Sequence, residues 1–418
     1  MVNYRKAAFS GPLLSAILMV TAIFSPASAQ PADPNIPTCL ADYLKLAELH
    51  NAELKAAMEG RMAALEEIPQ AKSLSDPVIS YGYATEPTPQ RSAFEVMQMF
   101  PWFGTIKARG EAASAMAKSA GQSYEAKRLA VYYDVKAAFY EYNYLGKAVE
   151  ITTENLELVR HFEQVARTQY AASTATHPDV IRAQIELAEL ENELVSLEKQ
   201  RPAVVARLNS ILNRPSGSEL PWPKDADHKQ VTIDRQRLFA MVSQNNPELK
   251  AMDYRIEAAQ SGKTLAEKRF YPEIGIGVGV DAGMGEDMGS RTMPKIQLSL
   301  PLWRDNYKAK ERQAQAQLRQ VRQEKIQKDN DLAANAEQAI YEFENTQREM
   351  TLYGEVIIPK VKEMLTASET AYQAGTIDFL SLIDAQRKFL SYRLRYERVL
   401  ADNAQKLAEL EMLAGKEL

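Results

Sequence analysis

The chain has one cysteine and four histidines in 418 residues. A single thiol forms no disulfide within the chain, so no covalent staple is available to the fold. The histidines, His50, His161, His177 and His228, are scattered, and none stands at metal-ligand spacing from another. No resident metal and no cofactor are therefore expected. Nor does any grouping of nucleophile, base and orienting acid mark an enzyme. An excess of positive charge is missing as well: 50 Lys and Arg against 55 Asp and Glu leave −5, which gives no reason to expect nucleic acid as a partner.

Long apolar runs are lacking beyond the N-terminus. Arg5 and Lys6 precede a 12-residue run from Leu13 to Phe24, followed by Ala27-Ser28-Ala29 before Gln30. That is the layout of a secretory signal peptide over residues 1–29, and the run is shorter than the roughly 20 residues a bilayer-spanning helix needs. Cys39 follows Ile36-Pro37-Thr38, which does not fit a lipid-attachment site, so it reads as a lone thiol. No later stretch approaches a transmembrane helix, so the mature chain is either soluble outside the cytoplasm or crosses a membrane as β-strands.

What is present is a repeat. Asn51-Ala-Glu-Leu-Lys-Ala56 recurs as Asn246-Pro-Glu-Leu-Lys-Ala251, a shift of 195, and the Gln169-Tyr170-Ala171 region echoes Ala371-Tyr372-Gln373 at 202. The division that follows is 30–213 for the first repeat, 214–233 for a Pro-rich linker and 234–418 for the second repeat. Each repeat reads helix, strand, turn, strand, long helix, short turn, helix. Helices are predicted from Asp42 to about Lys72 and over Lys107–Ala171. The Ala172–Pro178 cluster ends the second, and a new helix begins at Asp179. Leu187, Leu194, Arg201 and Leu208 at one position and Leu190, Leu197, Val204 and Ile211 at the other then follow a heptad spacing, with Pro202 as a kink. In the second half helices are predicted over Asp234–Arg269, Asn306 to about Gln373, and Ile377–Leu413, the last two divided by a turn at 374–377.

The strands are predicted in hairpins at 77–101 and 273–302. Ile274, Ile276, Val278 and Val280 alternate with Gly275, Gly277 and Gly279; Ile296, Leu298 and Leu300 alternate with Gln297 and Ser299. One face is aliphatic and the other small or polar, so these seven aliphatic residues are the candidate lipid-facing set. A half-buried soluble sheet gives the same alternation. The glycines lie inside a strand, not between strand and helix, which excludes a dinucleotide fingerprint. Met97, Met99, Met284, Met288 and Met293 in or beside the strands read as membrane-facing or loop residues, with thioether binding of a soft cation as the weaker reading. Phe100, Trp102, Phe103 and Trp303 cluster where strands meet long helices, as membrane-interface aromatics or as junction packing. Four transmembrane strands per chain cannot close a barrel; two copies supply eight strands, three supply twelve.

The residues resemble the TolC-like outer membrane efflux proteins over nearly the whole mature chain. The resemblance rests on Ala41-Asp-Tyr-Leu44 with Asn51-Ala-Glu-Leu54 and Asn246-Pro-Glu-Leu249. It also rests on Asp76-Pro77, on Phe100-Pro-Trp-Phe-Gly104, and on Ala371-Tyr-Gln-Ala-Gly375-Thr-Ile-Asp-Phe-Leu-Ser-Leu-Ile-Asp-Ala-Gln-Arg387, in that order within tandem repeats. It implies a mainly α fold with a transmembrane β part: a homotrimer whose 12-stranded β-barrel continues into a 12-helix periplasmic α-barrel. It implies an outer-membrane exit duct, surrounded by outer membrane lipids, that conducts passively. Its partners are then a periplasmic adaptor and an inner-membrane pump, of RND type or an ABC transporter. The Phe-Pro-Trp-Phe-Gly run most resembles the heavy-metal cation branch, with drug, organic-molecule or peptide export, in a tripartite efflux or type I secretion system, as the competing readings. Matched motif to motif, Asp179 and Asp384 fall on acidic gate positions and Tyr372 on an aromatic one. Ile377 replaces a basic residue and Ser381 a second acid, with Asp378 a substitute in the acidic ring; helix capping is the competing account of these carboxylates. A periplasmic coiled-coil adaptor is the alternative function, but two tandem hairpins with four aliphatic-faced strands argue against it.

Overall fold

The computed structural model describes residues 37–85, 90–173, 175–224, 231–283 and 290–418. The expected signal peptide at 1–29 lies outside these residues, as do His228, Met284, Met288 and residues 86–89 and 284–289. Two short helices open the described chain, α1 (Leu40–His50) and α2 (Ala52–Lys72). Sequence periodicity predicts one helix here, and Asn51 breaks it. Its backbone leaves the helical region at ψ 127°, its side-chain oxygen accepts from the Leu54 amide at 2.9 Å, and its amide donates to the Ile211 carbonyl at 2.8 Å. The strands β1 (Val78–Tyr83) and β2 (Gln90–Phe100) follow. Next comes α3 (Thr105–Ala171), 67 residues without a break, and about 100 Å long at 1.5 Å per residue. Its interior is proline-free, and its buried alanines, among them Ala108, Ala115, Ala117 and Ala138, let α2 and the helices described below approach closely.

The return helix α4 (His177–Ile211) starts two residues before the predicted Asp179. Pro178 lies in its first turn, where an amide would lack a partner anyway, so the proline begins this helix instead of keeping it away. The helix runs on through Pro202. Leu190, Leu197 and Leu208 of the heptad are buried against α3, and Arg201, in the same register, lies over the Trp222 ring at 4.4 Å and donates to the Leu220 carbonyl.

The second repeat has α5 (Arg235–Asn245) and α6 (Pro247–Lys268), broken at Asn246, then β3 (Glu273–Gly283) and β4 (Arg291–Ser299). β4 begins and ends earlier than the aliphatic alternation implies, so Leu300 falls outside the strand, one residue before Pro301. Pro294 sits inside β4 because β4 is a sheet edge in the chain, where a missing amide is tolerated. The long helix expected from Asn306 to Gln373 is instead α7 (Arg304–Thr351), a six-residue π-helical stretch (Leu352–Ile357) and α8 (Ile358–Gln373). Pro359 is the sequence cause, since its ring clashes with the preceding turn of an α-helix; Gly354 leaves room for the Tyr396 ring on the other side. The chain closes with α9 (Phe379–Ala414). Ion pairs Arg398–Glu141 (2.7 Å) and Lys136–Glu411 (2.5 Å) join α9 to α3, and Lys406–Glu342 (2.5 Å) joins it to α7.

All four strands form one antiparallel sheet in the order β1-β2-β3-β4. Among the described residues no helix is long and apolar enough to cross a membrane.

Candidate functional site

The turn after α3 and the turn after α8 meet at one end of the helices. Phe162 and Ala166 of α3, Val180 and Ala183 of α4, Tyr372 of α8 and Phe379 and Leu382 of α9 share one apolar cluster, and the Gln169 side chain donates to the Tyr372 carbonyl across it at 3.3 Å. Both turns bend through a left-handed residue, Ser173 (φ 60°) and Gly375 (φ 71°), 202 positions apart.

The four sequence candidates at this tip have different fates. Asp179 is largely buried; it accepts from the Thr176 amide (3.1 Å) and hydroxyl (2.7 Å) and pairs with Arg182 at 3.3 Å. Asp378 is the N-cap of α9 and accepts from the Ser381 hydroxyl (2.6 Å) and amide (3.0 Å). Those bonds, with Arg182 across the turn, hold its carboxyl below the usual carboxylate range. Tyr372 is 4% exposed and edge-on to Phe379 at 5.3 Å, and its hydroxyl has no partner among the described residues. Burial and the Asp179 charge push that hydroxyl up to about 12. Asp384 stands apart on the exposed side of α9, paired with Lys388 at 2.8 Å. Asp179 and Tyr372 thus lie close enough for the Asp179 charge to act on the phenol, Asp378 feels the Arg182 charge without an ion pair to it, and Asp384 stands separate.

Sequence reasoning missed a charged link between the return helices. The Arg387 guanidinium bonds Glu186 (Nε to Oε2, 2.7 Å) and Glu189 (3.0 Å), and the Glu186 side chain is 4% exposed. Beside it, Gln386 is fully buried with neither side-chain amide atom partnered among the described residues. Arg387 ends the motif carried by the second repeat, but nothing local points to a carboxylate 201 positions away.

At the opposite end, cross-strand register sorts the sheet into two faces. Ile79, Val96, Val278 and Pro294 stand in one row; Phe100, Ile274 and Leu298 form another, and Gln98, Ile276 and Ile296 lie between them. Tyr81, Phe94 and Val280 extend the same apolar face, most of it exposed in the chain. The other face carries Glu95 and Lys295, paired at 2.6 Å. Met97 and Met99 belong to this second face, opposite the candidate lipid-facing residues, because they alternate with Val96 and Gln98 along β2. Their sulfurs lie over Gly275, where a Cβ would come within 2.7 Å of the Met99 sulfur. Glycine in β3 is thus a packing requirement on the polar face. At the strand–helix junction Trp102 stacks on Tyr271 (5.2 Å, 8°) and contacts Phe103 edge-on, while Phe103 and Trp303 are the most exposed aromatics there.

Comparison with known proteins agrees with this architecture. The family described as outer membrane efflux protein matches residues 43–214 and 238–416. The cobalt-zinc-cadmium resistance protein CzcC of Cupriavidus metallidurans is 22% identical over 388 residues, covering 91% of this chain and 90% of CzcC. Shorter matches span 42% of the toxin and drug export protein A of Aggregatibacter actinomycetemcomitans and 37% of an uncharacterised protein of Haemophilus influenzae, less than half of either relative. Among solved structures, the outer-membrane channel OprN superposes with a TM-score of 0.77 at 18% identity, covering 92% of this chain and 90% of its own. The outer membrane protein VceC of Vibrio cholerae superposes with 0.76 at 16%, covering 90% and 96%. With both repeats matched across most of their length and the channel fold reproduced, the chain belongs to the outer membrane efflux protein family.

Proposed function

We propose that the chain is one protomer of a trimeric outer-membrane exit duct, exported by the leader at residues 1–29. The observation that carries this is the four-stranded sheet. It has an apolar face across all four strands and two unpaired edges, and it is continuous with helices about 100 Å long. Edges unpaired in lipid leave backbone groups without partners, so further copies must complete the barrel. Three copies supply twelve strands and leave an aqueous lumen lined by the Glu95–Lys295 face. The two repeats, 30–213 and 234–418 about the linker 214–233, then supply the periplasmic helices, and the tip they share is the gate.

The duct conducts passively; no catalytic step is needed. A periplasmic adaptor and an inner-membrane pump, RND-type or ABC, deliver substrate to the tip. Similarity to CzcC favours heavy-metal cations as the substrate class, and a narrow entrance carrying Asp179, Asp378 and Asp384 suits cations. The test is outer-membrane extraction in mild detergent followed by mass measurement and bilayer conductance. A heat-modifiable species of three chain masses that conducts is the expected result; a monomer recovered without detergent overturns it.

A further inference from the structure

A cavity of about 410 Å³ opens where β2 and β3 meet the helices, walled by Leu74, Phe100, Trp102, Phe103, Ile274 and Ile276. Its size falls in the range of about 300–1,000 Å³ typical of small-molecule sites. Four features define its occupant. The lining is apolar, and Trp102 is held as a rigid wall by its stack on Tyr271. Phe100, Ile274 and Ile276 belong to the apolar sheet face, so the cavity is continuous with that face. Its strand residues, Phe100, Ile274 and Ile276, come from β2 and β3, the two central strands of the sheet. On its rim the Lys268 ammonium donates to the Phe103 carbonyl at 3.1 Å, over Gly104, whose φ of +80° and lack of a side chain admit it. Neither Lys268 nor the exposed Arg269 beside it has an ion-pair partner among the described residues.

An apolar slot with a cationic rim at a membrane boundary matches an acyl chain below a phosphate. We propose that the cavity holds an acyl chain of one phospholipid of the periplasmic leaflet, its phosphate on Lys268 and Arg269. The proposal rests on the sheet being membrane-spanning and specifies a fixed lipid per protomer rather than a fluid annulus.

The test is native mass spectrometry of the detergent-extracted protein, exchanged repeatedly and then titrated with phosphatidylglycerol. Wild type retains one phospholipid per protomer through exchange. Ile276→Trp and Leu74→Trp, which fill the cavity from different walls, lose it while keeping the wild-type assembly mass. Lys268→Ala weakens phosphatidylglycerol binding about five-fold, the factor for about 1 kcal/mol per basic residue at a lipid surface. An assembled protein that retains no lipid, or filled variants that retain as much as wild type, overturns this proposal alone. A monomer found without detergent overturns the channel reading and this one together.

Discussion

Asp179 and Asp378 close their helices with the same hydrogen bond made in opposite orders. In the first repeat the hydroxyl is at the N-cap, Thr176, and the carboxylate three residues on; in the second the carboxylate is at the N-cap and the hydroxyl of Ser381 three residues on. Thr176 and Asp378 are 202 positions apart, as are Asp179 and Ser381. The pair is kept while its members change places, because either order satisfies free amides at a helix start. Capping therefore accounts for the position of both acids.

Exchanging the second-repeat pair, Asp378→Ser with Ser381→Asp, is expected to leave thermal stability near wild type, whereas Thr176→Ala lowers it by about 1 kcal/mol. Asp378 adds a pH dependence of known sign. Its folded pKa is depressed, so its contribution is present above the unfolded carboxylate value near 4 and is lost as pH falls through the lower folded value. Hydrogen exchange of the first turn of α9 between about pH 3 and 6 reads this directly; protection that does not decline on acidification contradicts it.

Removing Arg387 leaves Glu186 charged, nearly buried and without its cation. Arg387→Ala should destabilise the tip by about 2 kcal/mol, less than the 3–5 of a fully buried pair because the arginine itself is half exposed. Glu186→Gln combined with Arg387→Gln should recover part of that loss. In bilayers the single variant is expected to open more often than wild type, and equal open probability in the two would remove Arg387 from the gate.

Gly354 lies where the sign of a substitution depends on one neighbour. Alanine in a helix normally gains about 1 kcal/mol over glycine. Here its Cβ would sit 3.0 Å from the Tyr396 ring. Gly354→Ala should destabilise the wild type and stabilise a Tyr396→Ala background, a reversal that a double-mutant cycle of melting temperatures detects. Stabilisation in both backgrounds would mean that the ring yields freely.

The two sheet faces make a matched pair of tests. Val278→Arg places a charge on the apolar face in the middle of β3 and should cost about 2–4 kcal/mol if that face meets lipid. Gln297→Arg places the same charge on the face shared with Gly275 and Met99 and should be tolerated. The fraction of heat-modifiable assembly in outer membranes measures both, and equal losses would count against a lipid face.

The sequence by itself determined the elements whose cause is local. A proline-free, alanine-rich stretch can do little but form α3, and period-two alternation with glycine marks β3 whatever surrounds it. The repeat was legible because the Asn-x-Glu-Leu and Gln/Ala-Tyr motifs recur intact. Three-dimensional packing decided the rest, since the partners involved are remote in the chain. Asn51 breaks a helix that its neighbours would continue because Ile211, 160 residues on, accepts its amide; Asn246 does the same against Leu413. Met97 and Met99 could be assigned a face only once β2 was registered against Gly275 and Gly277. Of the tip, single acids could be picked out by motif. Their grouping could not, because the Arg387 bond to Glu186 and the closeness of Tyr372 to Asp179 depend on how helices about 200 residues apart lie against each other.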